Sequence, residues 1–172
     1  MQEVLKKAGS NARAATVAEA AASADVILLA TPWEATKTVL DDAGDLSGKI
    51  VIDAVNPLLP DLSGLEVGTT TSAAEQIEAW LPGSRVVKAF NTVGFPVMAN
   101  PVISGKPVVL FYCGDDAAAK KVAAQLASEL GFEVADAGGL KQARLLEAFA
   151  LLWISLAIQQ GYGTHWGFSI LK

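Results

Sequence analysis

The sequence predicts an α/β fold with a largely parallel sheet. Two observations carry that prediction. Short apolar runs at Val26–Ala30, Lys49–Ala54 and Val86–Phe90 lack polar alternation, the pattern of strands buried on both faces. Segments with helix-start signals separate these runs, and such alternation of strand and helix builds βαβ units.

Residues 1–8 read as the tail of a helix stopped by Gly9, a residue that closes helices in a left-handed conformation. Residues 16–22 form a short helix, with Thr16 as N-cap and Glu19 completing a capping box. The first strand, 26–30, ends at Thr31-Pro32, and a helix follows over 33–43. The second strand, 49–54, stops at Asn56-Pro57, and residues 58–70 read as a loop. A helix over 72–80 starts on Ser72, with Glu75 as its box partner. The third strand, 86–90, ends at Asn91-Thr92. Beyond a Pro- and Gly-rich stretch come a fourth strand over 107–113, a helix over 117–130 capped by the Gly114-Asp115-Asp116 turn, and a fifth strand over 131–136. A long apolar helix over 140–160 leads into an irregular tail from Gly161. No internal repeat or interdomain linker is visible. The whole chain, 1–172, reads as one domain, with an alternating strand-helix core over 1–106 and a strand-helix portion over 107–172.

Composition narrows the function. The chain has 172 residues, 52% hydrophobic and 18% charged, with net charge −5, which describes a globular protein with a sizeable core. No Lys/Arg cluster exceeds two adjacent residues, so nucleic acid and anionic membrane are poor partners. Cys113 and His165 are the only residues of their kinds, which excludes an internal disulfide, a cysteine metal site and a histidine cluster. The longest apolar stretch, Ala148–Ile158, is about eleven residues, short of the roughly 20 that a membrane span needs. No signal peptide is visible, so the default expectation is a cytoplasmic protein.

In open α/β sheets, ligands bind beyond the carboxyl ends of the strands. Three such ends are informative: Thr31-Pro32-Trp33-Glu34, Val55-Asn56-Pro57 and Asn91-Thr92-Val93-Gly94-Phe95. Taken singly, each is an ordinary strand-ending turn, because these residue types favour turns. Three on successive strands point to a shared crevice. Other candidates read as structural. Cys113 is a core thiol, Asp115 and Asp116 are helix caps, and Arg144 with Glu147 is an intrahelical pair. His165 serves packing or an interface. The glycines at 161, 163 and 167 follow a helix and not a strand, which excludes a dinucleotide fingerprint.

Several segments resemble the NADP oxidoreductases dependent on coenzyme F420 and their bacterial NADPH-dependent relatives. They are Ala30-Thr31-Pro32-Trp33-Glu34-Ala35, Val86-Val87-Lys88-Ala89-Phe90-Asn91-Thr92, Cys113-Gly114-Asp115-Asp116 and Asp136-Ala137-Gly138-Gly139-Leu140, followed by Ala143-Arg144-Leu145, Glu147 and the glycine-rich tail. The oxidoreductase domain of the STEAP metalloreductases has a similar Ala-Phe-Asn turn. The resemblance runs nearly the whole chain. It implies a Rossmann-like NADP domain, with residues 1–106 as a partial dinucleotide-binding Rossmann core and a C-terminal helical part, and hydride transfer between NADP(H) and a deazaflavin, flavin or similar acceptor. By the same resemblance, Thr31, Pro32 and Trp33 would lie along the adenosine and pyrophosphate side of the cofactor. Asn56 and Pro57 would approach the nicotinamide, while Asn91, Thr92 and Val93, with Phe95 beside them, would form the floor where it meets the acceptor. No catalytic side chain is implied, since the cofactors carry the reaction.

Two departures stand out. The archaeal enzymes carry Leu-His-Thr where this chain has Phe90-Asn91-Thr92, which makes a flavin or another acceptor an alternative to coenzyme F420. The family pattern also opens with a strand, a Gly-x-Gly-x-x-Gly turn, a helix and a second strand, and this sequence starts beyond them. The expectation is therefore an N-terminally truncated sheet with an apolar edge at Val26–Ala30, weak or absent NADPH binding, and self-association, as a homodimer, through that edge or the helix at 140–160. The alternative is a non-catalytic, dimerising Rossmann remnant. A different Rossmann-like reductase, imine-type or ketopantoate-like, is disfavoured by the Phe90-Asn91 turn and the tail.

Overall fold

A computed structural model describes residues 2–171. Met1, the first residue of the helix expected over 1–8, lies outside them. That helix, α1, spans Gln2–Ala8, and Gly9 follows it with positive φ. The short helix α2 (Val17–Ser23) has the expected capping box, with the Thr16 side chain accepting from Glu19 N and the Glu19 side chain accepting from Thr16 N.

Strands β1 (Val26–Leu29), β2 (Ile50–Asp53) and β3 (Arg85–Lys88) are joined by α3 (Trp33–Ala43) and α4 (Ala73–Trp80). Each strand-helix-strand unit returns the chain in the same direction, so β1, β2 and β3 pair in parallel. After β3 come the short helix α5 (Phe95–Ala99) and a small hairpin of β4 (Val102–Ile103) and β5 (Lys106–Pro107). Strand β6 (Val109–Gly114), helix α6 (Ala117–Leu130) and strand β7 (Glu133–Asp136) complete the sheet, whose order is β1-β2-β3-β6-β7. A single sheet thus spans both portions of the chain.

The sheet is largely parallel, with one exception. β6 runs antiparallel to β3, placing Lys88 opposite Cys113. The connection between them holds only a five-residue helix and a two-residue-strand hairpin, with no long helix to carry the chain back across the sheet and restore the direction. α6 is long enough for that, and β7 is parallel to β6.

Two further expectations are corrected. The helix expected over 140–160 is divided into a 3₁₀ turn (Leu140–Gln142), α7 (Ala143–Ile154) and a π-helical segment (Ser155–Gln159). Arg144 and Glu147 do not pair with each other. Arg144 reaches Glu75 on α4 at 2.6 Å, and Glu147 turns into the core to meet Lys88 at 2.8 Å. Three residues along a helix is a sufficient spacing for a pair, but Arg144 is partly exposed and Glu147 fully buried, and tertiary partners win. Among the described residues no helix is long and apolar enough to cross a membrane.

The core has two halves, one on each face of the sheet. Val51 and Val86 point to the side covered by Leu40, Ile77 and Leu146. Ile52 and Val87 point to the other side, covered by Ala119, Ala123 and Ala127 of α6. The four-residue spacing of those alanines puts small side chains on one helical face and lets α6 sit close to the sheet. β2 is therefore buried throughout, whereas β1 is the sheet edge, with Val26 37% and Leu28 60% exposed.

Candidate functional site

The parallel strands deliver their three turns to one end of the sheet. The β2 and β3 turns are joined directly. Asn56 Nδ2 donates to the Asn91 carbonyl at 3.0 Å, and Asn91 Nδ2 donates to Asn56 Oδ1 at 3.1 Å. Asn91 Nδ2 also donates to the Leu146 carbonyl of α7 at 3.1 Å. Both amide hydrogens of Asn91 are thus used. Its Oδ1 and the neighbouring Thr92 Oγ1 are buried without a hydrogen-bond partner. Buried polar groups are nearly always paired, and these two adjacent atoms stand out in lacking a partner within the chain.

The turn itself is strained. Phe90 has φ 65°, a left-handed conformation that bulky side chains rarely adopt, at a cost of about 1–3 kcal/mol. Its ring is buried against Phe132, edge to face. The strain is what swings the chain off β3 so that Asn91 points back toward Asn56. Gly94 closes the turn against α7 and the tail. A Cβ at Gly94 would come within 2.6 Å of Trp153 and 3.1 Å of the Thr164 carbonyl. Val93 is buried, and the next side chain, Phe95, is 81% exposed.

The first turn stands apart from the other two. Thr31 Oγ1 and Thr36 Oγ1 are 2.9 Å apart, and Thr36 Oγ1 donates to the Pro32 carbonyl. Pro32 precedes α3 and supplies no side-chain cap, and its carbonyl accepts from Ala35 N in the first turn. The Trp33 ring stacks on Trp80 with centroids 5.6 Å apart. Pro57 is buried, and its carbonyl accepts from Glu66 N, folding the 58–70 loop back on the site.

Beneath the Asn56–Asn91 contact lies a charged cluster that the motif reading passed over. Lys88 Nζ is fully buried, 2.9 Å from Asp53 Oδ2 and 2.8 Å from Glu147 Oε1, and it donates to the Val55 carbonyl. Glu147 also accepts from the N–H groups of Ala73 and Ala74, at the start of α4. Burial opposes the Lys88 charge, but the two carboxylates more than offset it and raise its pKa. Burial raises the Glu147 carboxyl above its ordinary value despite the ammonium beside it, and the nearby Asp53 charge adds to the rise. A signal was present in the sequence: Asp53, Lys88 and Glu147 are charged residues set inside apolar runs.

The residues outside the crevice are explained by structure. The Cys113 thiol is pushed up to about 12 by burial, which leaves it protonated and inert. Asp116 caps α6 through Ala119 N, and Asp115 accepts from Leu140 N. Arg144 holds the Glu75 carboxyl below its ordinary range. Two cavities flank β1, of about 390 Å³ and 580 Å³. Neither is lined by Asn56, Asn91 or Thr92.

Polar residues gathered at the carboxyl ends of adjacent parallel strands mark this as an open α/β sheet of the type that binds ligands at that end. Comparison with known proteins gives the family. The family model described as NADP oxidoreductase coenzyme F420-dependent matches residues 1–57. The F420-dependent NADP reductase of Methanocaldococcus jannaschii is 33% identical over 169 residues, covering 92% of this chain and 74% of that protein. Rat metalloreductase STEAP3 is 33% identical over 134 residues, covering 77% of this chain but 26% of that protein. A crystal structure from Arthrobacter, provisionally assigned as an F420-dependent NADP reductase, superposes with TM-score 0.84 at 34% identity, over 92% of this chain and 74% of that one. The chain belongs to the coenzyme F420-dependent NADP oxidoreductase family, and by family its class is NADP-dependent oxidoreductase. A reductive aminase from Aspergillus terreus solved with NADPH shares the fold, with TM-score 0.58 at 17% identity.

Proposed function

We propose that this chain receives NADP(H) across the carboxyl ends of β1, β2 and β3 and supports hydride transfer between the nicotinamide and a flat ring acceptor of the deazaflavin or flavin type. The observation that carries this reading is the pair of orphaned buried atoms, Asn91 Oδ1 and Thr92 Oγ1. An unpaired buried polar atom costs about 1–3 kcal/mol, and a carboxamide offers the N–H and C=O groups that would satisfy both. When bound, NADPH supplies the hydride from its nicotinamide ring. The chain's own residues bind, orient and exclude water. Asn56 and Pro57 border the nicotinamide side, and Asn91 and Thr92 hold the carboxamide. Val93 closes the floor, and the exposed Phe95 ring offers an apolar face to the acceptor. Thr31, Pro32 and Trp33 take the adenosine and pyrophosphate side, where the N-terminus of α3, which has no side-chain cap, suits phosphate oxygens.

No strand in the described residues is followed by a Gly-x-Gly-x-x-Gly turn. Binding of NADPH to this chain is therefore expected to be weaker than micromolar. The test is an NMR titration with NADPH carried to millimolar concentration, coupled to NADPH oxidation with coenzyme F420 and with FMN. Shifts at Asn56, Asn91 and Thr92, lost in Asn91→Ala, are the expected result. Saturation without any change at those three residues would overturn the reading. The second reading, a non-catalytic dimerising protein, is favoured by the exposed apolar edge of β1. It predicts no response to NADPH and a dimer mass in solution.

A further inference from the structure

The buried Lys88 cluster lies where it can govern the Asn91 amide. That amide is held by two acceptors, Asn56 Oδ1 and the Leu146 carbonyl. Each acceptor is one residue away from a group bound to Lys88: the Val55 carbonyl precedes Asn56, and Glu147 follows Leu146. Lys88 is also the register partner of Asp53 on β2, and it ends β3 three residues before Asn91 in the turn that follows. One ammonium therefore ties together the end of β2, the end of β3 and α7. Glu147 extends the tie to the N-terminus of α4.

Burying three charges is an expensive way to gain stability alone, because apolar residues of similar volume often do as well or better. What the cluster supplies is geometry. Remove the ammonium, and Val55 and Glu147 are no longer held together. The two acceptors of the Asn91 amide can then separate, and the amide is free to rotate.

We propose that Lys88 is a positioning residue for the nicotinamide side of the crevice. It fixes the spacing of the Asn56 and Leu146 acceptors so that both hydrogens of the Asn91 amide are engaged inward and Oδ1 is left free for a ligand donor. Its functional consequence rests on the reading that Asn91 meets the nicotinamide. Its structural content does not.

The test is Lys88→Met in the 172-residue chain, with Glu147→Gln as the conservative companion. The readout is the set of NOEs from the Asn91 side-chain amide to residues 56 and 146, measured in the folded protein. A merely structural role lowers the unfolding midpoint and leaves these NOEs in place. The positioning role abolishes them, while backbone shifts of β2 and β3 remain native-like. It also weakens the NADPH response by up to about tenfold, the scale of one lost neutral hydrogen bond. Retention of the wild-type NOEs in folded Lys88→Met overturns the inference. If Lys88→Met does not fold, Glu147→Gln decides in the same way, and failure of both to fold also overturns it by marking the cluster as structural only. Loss of the NOEs with no NADPH response in the wild type supports the positioning of Asn91 and refutes the cofactor reading, so the two failures are distinguishable.

Discussion

β1 and β2 are adjacent strands of similar apolar character, Val-Ile-Leu-Leu and Ile-Val-Ile-Asp, yet they live in different environments. Leu28 and Ile52 are register partners on the same face, with Leu28 60% exposed and Ile52 buried. The difference is position in the sheet: β2 has a neighbour on each side, and β1 has one. An unbroken apolar run reports that a strand suits a parallel sheet, and it does not report where in the strand order that strand falls. At their ends the contrast reverses. β1 runs into a turn whose polar groups satisfy one another locally, while β2 and β3 end on a buried polar network that reaches α4 and α7.

The largest expected effect breaks that network. Lys88→Ala leaves two carboxylates buried without their cation and should lower stability by about 3–5 kcal/mol, read as a lower urea midpoint. The register pair comes next. Ile52→Ala should cost about 2–5 kcal/mol, whereas Leu28→Ala should stay within about 0.5 kcal/mol. Equal losses would show that the β1 edge is covered in solution, and sedimentation would then identify a dimer. A smaller contrast is in pH. The Glu147 pKa is raised from 4.5, chiefly by burial, so its contribution is present below that value and is lost as pH rises through the raised one. Glu75 is lowered, chiefly by Arg144, so its contribution is present above 4.5 and is lost as pH falls through the lowered value. Stability against pH should therefore lose its fall above 4.5 in Glu147→Gln and its acid-side fall in Glu75→Gln. The smallest effect belongs to Leu28→Lys, which should leave the midpoint nearly unchanged and reduce any self-association.

Much of the fold was legible because its signals are local. The strands at 26–30, 49–54 and 86–90, the Thr16–Glu19 box and the Ser72 cap each rest on residues within one turn of each other. The reversal of β6 was not legible, since it depends on what the 91–108 connection lacks. The crevice was legible in part: Asn56 and Asn91 come together, whereas Thr31 and Trp33 are tied up on α3 and Trp80. The Lys88 cluster escaped because its members lie 35 and 59 residues apart and match no motif. The pairing of Arg144 with Glu75 escaped for the same reason, since a sequence ranks near neighbours above distant ones.

The close approach at Gly94 gives the protein an optical reporter of its own. Trp153 abuts that glycine and stacks on Trp166, with ring centroids 5.3 Å apart. The indole therefore touches the same short turn that carries Asn91 and Thr92. Any rearrangement of that turn changes the polarity around an excited tryptophan and should shift its emission. Because Trp33 and Trp80 form a separate pair, replacing both with Phe would leave only the Trp153 and Trp166 indoles to report. Events at the crevice floor could then be followed without a label, on whatever timescale the turn itself moves.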